Sequence, residues 1–255
     1  MSKLFIISTP IGNLKDVTLR AIEVLNEVDF ILAEDTRVTK KLLMHYKIAK
    51  PLISYHQYSK LKKVDDILSL LREGKILALV SDAGTPGISD PGNKLVAEIL
   101  KSKLNVEIIP IPGVSSITAI ASVAGISMDS FTFSGFSPHK KGKNKFLKKA
   151  LDSDIPVIFF ESPHRILKTL EQLKSLITHY LPAPRFKSGQ AGALPQNQSK
   201  ARFTARHITD YELIIGRELT KKFETIYRGT VDEVLTQLKN DVIKGEFTII
   251  LYKVK

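Results

Sequence analysis

Short apolar runs alternate with helix-spaced apolar residues through the first half of this 255-residue chain. Residues 3–8, 30–33, 52–55, 76–81 and 106–109 read as strands. Between them, Leu19, Ile22, Leu25 and Val28, then Val38, Leu42 and Tyr46, then Val64, Ile67, Leu68 and Leu71, then Leu95, Val96, Ile99 and Leu100 recur at three- and four-residue steps, as on one face of a helix. Strands that are apolar throughout, each separated from the next by a helix, predict a parallel sheet covered on both faces.

The texture changes after the Pro112-Gly113 turn, which opens a small-residue helix over 115–124. The length suits two domains, and they are expected at 1–113 and 114–255, both α/β. In the second, strands are expected at 131–134, 157–161, 213–216, 224–227 and 247–252, with helices at 146–151, 166–177 and 231–238. Less regular connections predict a mixed sheet there. Residues 181–209 lack periodicity, are rich in Pro, Gly, Gln and Ser, and carry Arg185, Lys187, Lys200, Arg202 and Arg206 with no acid, so they read as a flexible insertion.

Composition narrows the chemistry. The absence of cysteine removes disulfides, thiolate metal sites and thiol nucleophiles together. The uncharged stretch 108–128 is broken by Pro110, Pro112 and Gly113, so a strand, a turn and a buried helix explain it better than a membrane span. No export signal is visible at the N-terminus, and a cytoplasmic location is expected. A net charge of +12 favours an anionic partner such as RNA. His139, Lys140, Lys141, Lys143, Lys145, Lys148 and Lys149 form a basic cluster that reads either as a solvated face or as phosphate contacts.

Three glycine-containing turns fall where strands of the first half end: residues 8–14, 81–92 and 111–116. In open α/β sheets, ligands bind beyond the carboxyl ends of the strands, where glycine lets backbone N–H groups come close. The P-loop spacing is absent, and so is Gly-x-Gly-x-x-Gly after the first strand, so ATP and dinucleotides lose their usual support. Glu34-Asp35-Thr36-Arg37 ends the second run: either Asp35 or Thr36 caps the next helix and Arg37 pairs locally, or the group orients a substrate. Glu161-Ser162-Pro163-His164-Arg165 repeats the theme, and residues 217–224 form a third polar group whose plain reading is ion pairing. No metal-ligand spacing and no nucleophile elbow is present.

Taken in order, residues 8–14, 33–37, 81–92, 133–136, 161–165 and 217–221 resemble the bacterial 16S rRNA (cytidine-2′-O)-methyltransferases, a branch of the tetrapyrrole methylase superfamily. The resemblance spans almost the whole chain except 181–209. It implies two α/β domains with S-adenosylmethionine in a cleft between them, 16S rRNA within the small ribosomal subunit as partner, and a homodimer. It implies cofactor contacts at Ile11, Ala83, Gly84, Thr85, Ile88, Ser115, Ser116, Phe160 and Gly216. Glu34, Arg37, Arg165 and Lys221 fall to substrate positioning, and Asp35, Glu161 and His164 are the candidates for removing the hydroxyl proton. The same resemblance leaves room for a small-molecule methyltransferase on a tetrapyrrole, or for a non-enzymatic RNA-binding relative.

Overall fold

The computed structural model describes residues 2–56, 61–90, 92–180 and 210–254. The expected insertion at 181–209 therefore lies outside the described residues. The chain divides into two compact units, Met1–Ala119 and Ile120–Lys255; the sequence reading puts its boundary a little earlier, at the Pro112-Gly113 turn.

In the first unit, β1 (Ser2–Ile7), β2 (Phe30–Ala33), β3 (Leu52–Ser54), β4 (Ile76–Val80) and β5 (Val106–Ile111) form a sheet in the order β3-β2-β4-β1-β5. Every pairing is parallel. The helices between them are α1 (Leu19–Glu27), α2 (Thr36–His45), α3 (Leu61–Arg72) and α4 (Gly92–Lys101). One face of the sheet packs Ile7, Ile31, Ala33, Ala78 and Val80 with Ala21, Val24 and Leu25 of α1 and Leu43 of α2. The opposite face packs Leu4, Leu32, Leu77 and Leu79 with Ile67, Leu68 and Leu71 of α3 and Leu95 and Ile99 of α4. Both faces are thus buried, which is why these strands read as continuous apolar runs. Pro110 has no N–H to give a ladder, and it is tolerated because β5 is an edge strand.

The strand order places a switch point between β1 and β4. The chain leaves β1 for β2 on one side and leaves β4 for β5 on the other. Such a divergence opens a space at the carboxyl ends of the two strands, where α/β sheets hold ligands.

Helix α5 (Ser116–Ser122) leads to the second unit, with β6 (Thr132–Phe136), α6 (Lys143–Leu151), β7 (Val157–Glu161), α7 (Ile166–Tyr180), β8 (Tyr211–Arg217), β9 (Thr225–Thr230), α8 (Val231–Lys239) and β10 (Phe247–Lys253). Its sheet runs β6-β7-β10-β8-β9. Only β6 and β7 pair in parallel, and the other pairings are antiparallel, so the sheet is mixed as expected. Leu147 and Leu151 of α6, Ile166, Leu170 and Leu173 of α7, and Val231, Val234 and Leu238 of α8 cover the face bearing Phe159, Leu213, Ile215 and Ile249. Among the described residues no helix is long and apolar enough to cross a membrane.

Candidate functional site

The three glycine turns of the first unit are laced to one another. Thr9 and Gly84 exchange backbone hydrogen bonds of 2.9 and 3.0 Å across the switch point. Thr9 Oγ1 also donates to Ser81 O at 3.0 Å, the Ser8 and Thr85 hydroxyls lie 2.9 Å apart, and Ser8 N donates to Ile111 O. Thr85 Oγ1 donates in turn to Val114 O, 3.4 Å away. Glycine is required at two points. Gly84 has φ +80° and sits where an added Cβ would lie 3.5 Å from Ile11 Cγ2. A Cβ on Gly113 would come within 2.9 Å of Ser8 Cβ, so the ends of β1 and β5 approach more closely than any side chain allows.

Ile11 and Gly84 are buried, Thr85 is half-buried, and Ala83 and Ile88 are exposed. Ser115 and Ser116 are half-buried at the start of α5, where Ser115 Oγ accepts from Ile117 N. The seven cofactor candidates of the first unit therefore lie on the three turns or directly after them, on neutral backbone and small side chains.

Charge collects at the next strand end. Asp35 caps α2: its carboxylate accepts from Arg37 N at 2.8 Å and from the Arg37 guanidinium at 2.5 Å. These bonds hold the Asp35 carboxyl down to about 2. The local pairing is thus realised, and Arg37 otherwise extends into solvent. Glu34 differs. Burial, then the like charges of Asp82 and Asp90, raise it above the ordinary glutamate range. Asp82 accepts from Asp35 N at 2.9 Å and is itself raised, chiefly by burial.

In the second unit, Glu161 ends β7 and is buried, with 1% of its surface exposed. It accepts from the hydroxyls of Ser137 and Thr169, from Ser162 N at 2.8 Å and from Lys143 Nζ at 3.2 Å, and it pairs with Arg165 at 2.7 Å. Burial alone would raise its pKa, but the donors from Ser137, Thr169, Ser162 and Lys143 outweigh it, and the carboxyl stands below its ordinary value. Arg165 also donates to Ser137 O at 3.0 Å and to Ser162 Oγ, also at 3.0 Å. His164 is exposed in the turn before α7.

Two further site candidates are engaged within the second unit. A Cβ on Gly216 would meet Leu219 Cδ2 at 2.8 Å and Ile120 Cδ1 at 2.9 Å, so the packing there admits only glycine. Lys221 shows the ion pairing of the plain reading, with Glu218 Oε1 2.8 Å and Glu246 Oε2 3.3 Å from its Nζ. Burial would lower Lys221, yet these two carboxylates hold it above its ordinary value. Arg217 is likewise committed, to Val242 O, Thr225 Oγ1 and Asp241. The group at 217–221 knits loops of its own sheet.

Three residues escaped the sequence reading. Lys143 belongs to the run that reads either as a solvated face or as phosphate contacts, yet it is buried on the face of α6 that also carries Leu147, Ala150 and Leu151. That four- and seven-residue spacing was the available signal. Asp82 and Asp90 lie inside the 81–92 turn, where the sequence singles out only the glycines. Asp90 Oδ1 in fact accepts from both Gly87 N at 2.6 Å and Gly92 N at 2.9 Å, and so shapes the turn. Among the described residues no cluster of three His, Asp or Glu side chains could hold a metal ion.

Comparison with known proteins bears on both units. The profile of the family described as Tetrapyrrole (Corrin/Porphyrin) Methylases matches residues 3–235. A Thermotoga maritima protein named Ribosomal RNA small subunit methyltransferase I is 39% identical over 251 residues, covering 98% of each chain. Its namesake from Mycoplasmopsis pulmonis is 40% identical over 252 residues, covering 99% of this chain and 98% of that protein. Among solved structures, diphthine synthase superposes with a TM-score of 0.65 at 13% identity, over 99% of this chain and 90% of that one. Cobalt precorrin-4 methyltransferase does so with a TM-score of 0.64 at 18% identity, over 98% and 94%. At those identities the likeness concerns the fold.

Proposed function

The chain belongs to the tetrapyrrole methylase family, and on that premise we propose that it transfers a methyl group from S-adenosylmethionine to the ribose 2′-oxygen of a cytidine in 16S rRNA. One observation carries the reading most: near-full-length similarity to proteins named for methylation of small-subunit ribosomal RNA. The laced turns at the switch point support it, because they supply a cradle of the expected kind at the expected strand ends.

The residues present suit the cofactor. Ile11 offers apolar contact, Gly84 keeps the floor of the cradle low, and Ala83, Thr85, Ile88, Ser115 and Ser116 add small or flexible side chains and backbone groups around it. S-adenosylmethionine, when bound, supplies an electrophilic methyl on sulfur. The protein must hold the ribose oxygen in line and relieve it of its proton, and alignment of this kind is worth several kcal/mol.

Of the three proton acceptors suggested by sequence, Asp35 is spent on Arg37 and Glu161 on five internal donors. We assign the acceptor role to Glu34, whose proton affinity burial, then Asp82 and Asp90, increase and whose strand end adjoins that of β4. Arg37 extends from the same strand end and positions RNA phosphate; Glu161 and Arg165 position the segment that carries His164. Glu34→Gln should lower kcat at least about 100-fold with little change in cofactor affinity, and should remove the acidic limb of the pH–rate profile. A limb that survives in E34Q but vanishes in His164→Gln would move the role to His164.

The substrate class is tested by offering the purified protein methyl-labelled S-adenosylmethionine with small ribosomal subunits, with free 16S rRNA and with a tetrapyrrole. Label in RNA alone supports the proposal. Label in the tetrapyrrole, or cofactor that binds without transfer to either, would overturn it.

A further inference from the structure

The motif Phe133-Ser134-Gly135-Phe136 finds no part in the chemistry above, and its geometry is unusual for a strand. β6 runs in register with β7 at Phe133↔Ile158 and again at Phe136↔Phe160, so three steps along β6 match two along β7. The extra residue is taken up in a bulge, with Gly135 at φ +66°. In an unbulged strand Phe133 and Phe136 would point to opposite faces. The bulge turns both onto Phe160, with ring centroids 5.0 and 5.1 Å from it in edge-on contact. Phe133 and Phe160 are half-buried by this, whereas Phe136 keeps 56% of its surface exposed.

The neighbouring loop is anchored and basic. One carboxylate, Glu161, holds it at both ends, through the Ser137 hydroxyl on one side and Lys143 Nζ on the other. Ser137 N is fixed to Phe160 O at 3.0 Å and Ser137 O to Arg165. Between these anchors lie Lys140 and Lys141, with Lys145 just beyond, all exposed. The described residues give none of these three lysines an ion-pair partner, and residues 137–151 contain no acid. An exposed aromatic ring on a locked strand end, followed directly by unneutralised lysines, matches the surface that unpaired nucleic acid requires: a stacking face beside a phosphate track.

We propose that Phe136 is a stacking platform for an unpaired RNA base, flanked by phosphates that Lys140, Lys141 and Lys145 hold. The inference rests on reading the substrate as RNA, and it narrows that substrate to a single-stranded segment at this surface. Bases splayed from loops stack on aromatic side chains in this way, whereas paired bases cannot.

The test measures equilibrium binding of the full-length protein to a labelled single-stranded oligoribonucleotide and to a fully paired duplex of the same sequence, over a range of salt. Phe136→Ala should weaken single-strand binding about tenfold, within the range expected for loss of one stacked base, and leave duplex binding and the salt slope unchanged. Phe136→Tyr should retain wild-type affinity. Lys140→Gln with Lys141→Gln and Lys145→Gln should instead flatten the salt slope on both RNAs. Equal losses on single strand and duplex, or no loss in F136A, would overturn the proposal. So would unchanged RNA binding with a shift in sedimentation, which would show that a second copy covers the ring. Methyl transfer measured in parallel separates the two readings. Selective loss of single-strand binding without any transfer to RNA keeps the platform and removes the enzyme, and transfer to RNA that is indifferent to F136A does the reverse.

Discussion

At the scale of single residues, burial decides which charged groups act and which hold the frame. Lys143 and Glu161 are both nearly inaccessible and are joined to Arg165, Ser137 and Thr169. Removing Lys143 takes one of two cations from the buried Glu161 and leaves Arg165 alone to balance it, so Lys143→Met should destabilise the protein by about 2 kcal/mol in denaturant unfolding. The exposed lysines of the same run should cost almost nothing. The network also ties stability to pH. The Glu161 carboxyl is depressed in the folded state, so its contribution is complete above the ordinary glutamate value of 4.5 and fades as pH falls through the lower native value. Wild type should therefore lose stability on acidification below that value more steeply than Glu161→Gln, as thermal unfolding at a series of pH values would reveal. The sequence pointed to Glu161 and Arg165 as functional because charge at a strand end is costly. It could not distinguish a reactive carboxylate from one sealed by donors, since Ser137, Lys143 and Thr169 reach Glu161 from outside its own strand.

At the scale of elements, the parallel sheet was legible because strands buried on both faces have no polar alternation to confuse with anything else. The mixed sheet was legible more loosely, from irregular connections. What escaped was the bulge in β6, for Gly135 between two phenylalanines reads equally well as an ordinary strand residue. Turn closure was half visible. The glycines at 84 and 113 marked close approach, but the reciprocal bonds between Thr9 and Gly84 depend on β1 and β4 being neighbours. Gly113→Ala should force the ends of β1 and β5 apart and cost about 1–3 kcal/mol by the overpacking of a tight contact, read from the denaturation midpoint. Thr230→Ala, which removes the reciprocal cap of α8 with Glu233, should cost about 1 kcal/mol in the same assay.

For the whole molecule, the +12 charge and the similarity to proteins named for small-subunit ribosomal RNA are both in keeping with the proposed action on a polyanion. On the proposed reading, lysines supply affinity without sequence, and the turns at the switch point of the parallel sheet seat the methyl donor. The most direct test of this account is nucleoside mass spectrometry of 16S rRNA after small ribosomal subunits lacking the modification are incubated with the protein and S-adenosylmethionine. The account predicts that a single cytidine gains a methyl group that stays with the ribose after the glycosidic bond is cleaved. A methyl found on a base, or unmodified RNA after incubation with cofactor-bound protein, would contradict it.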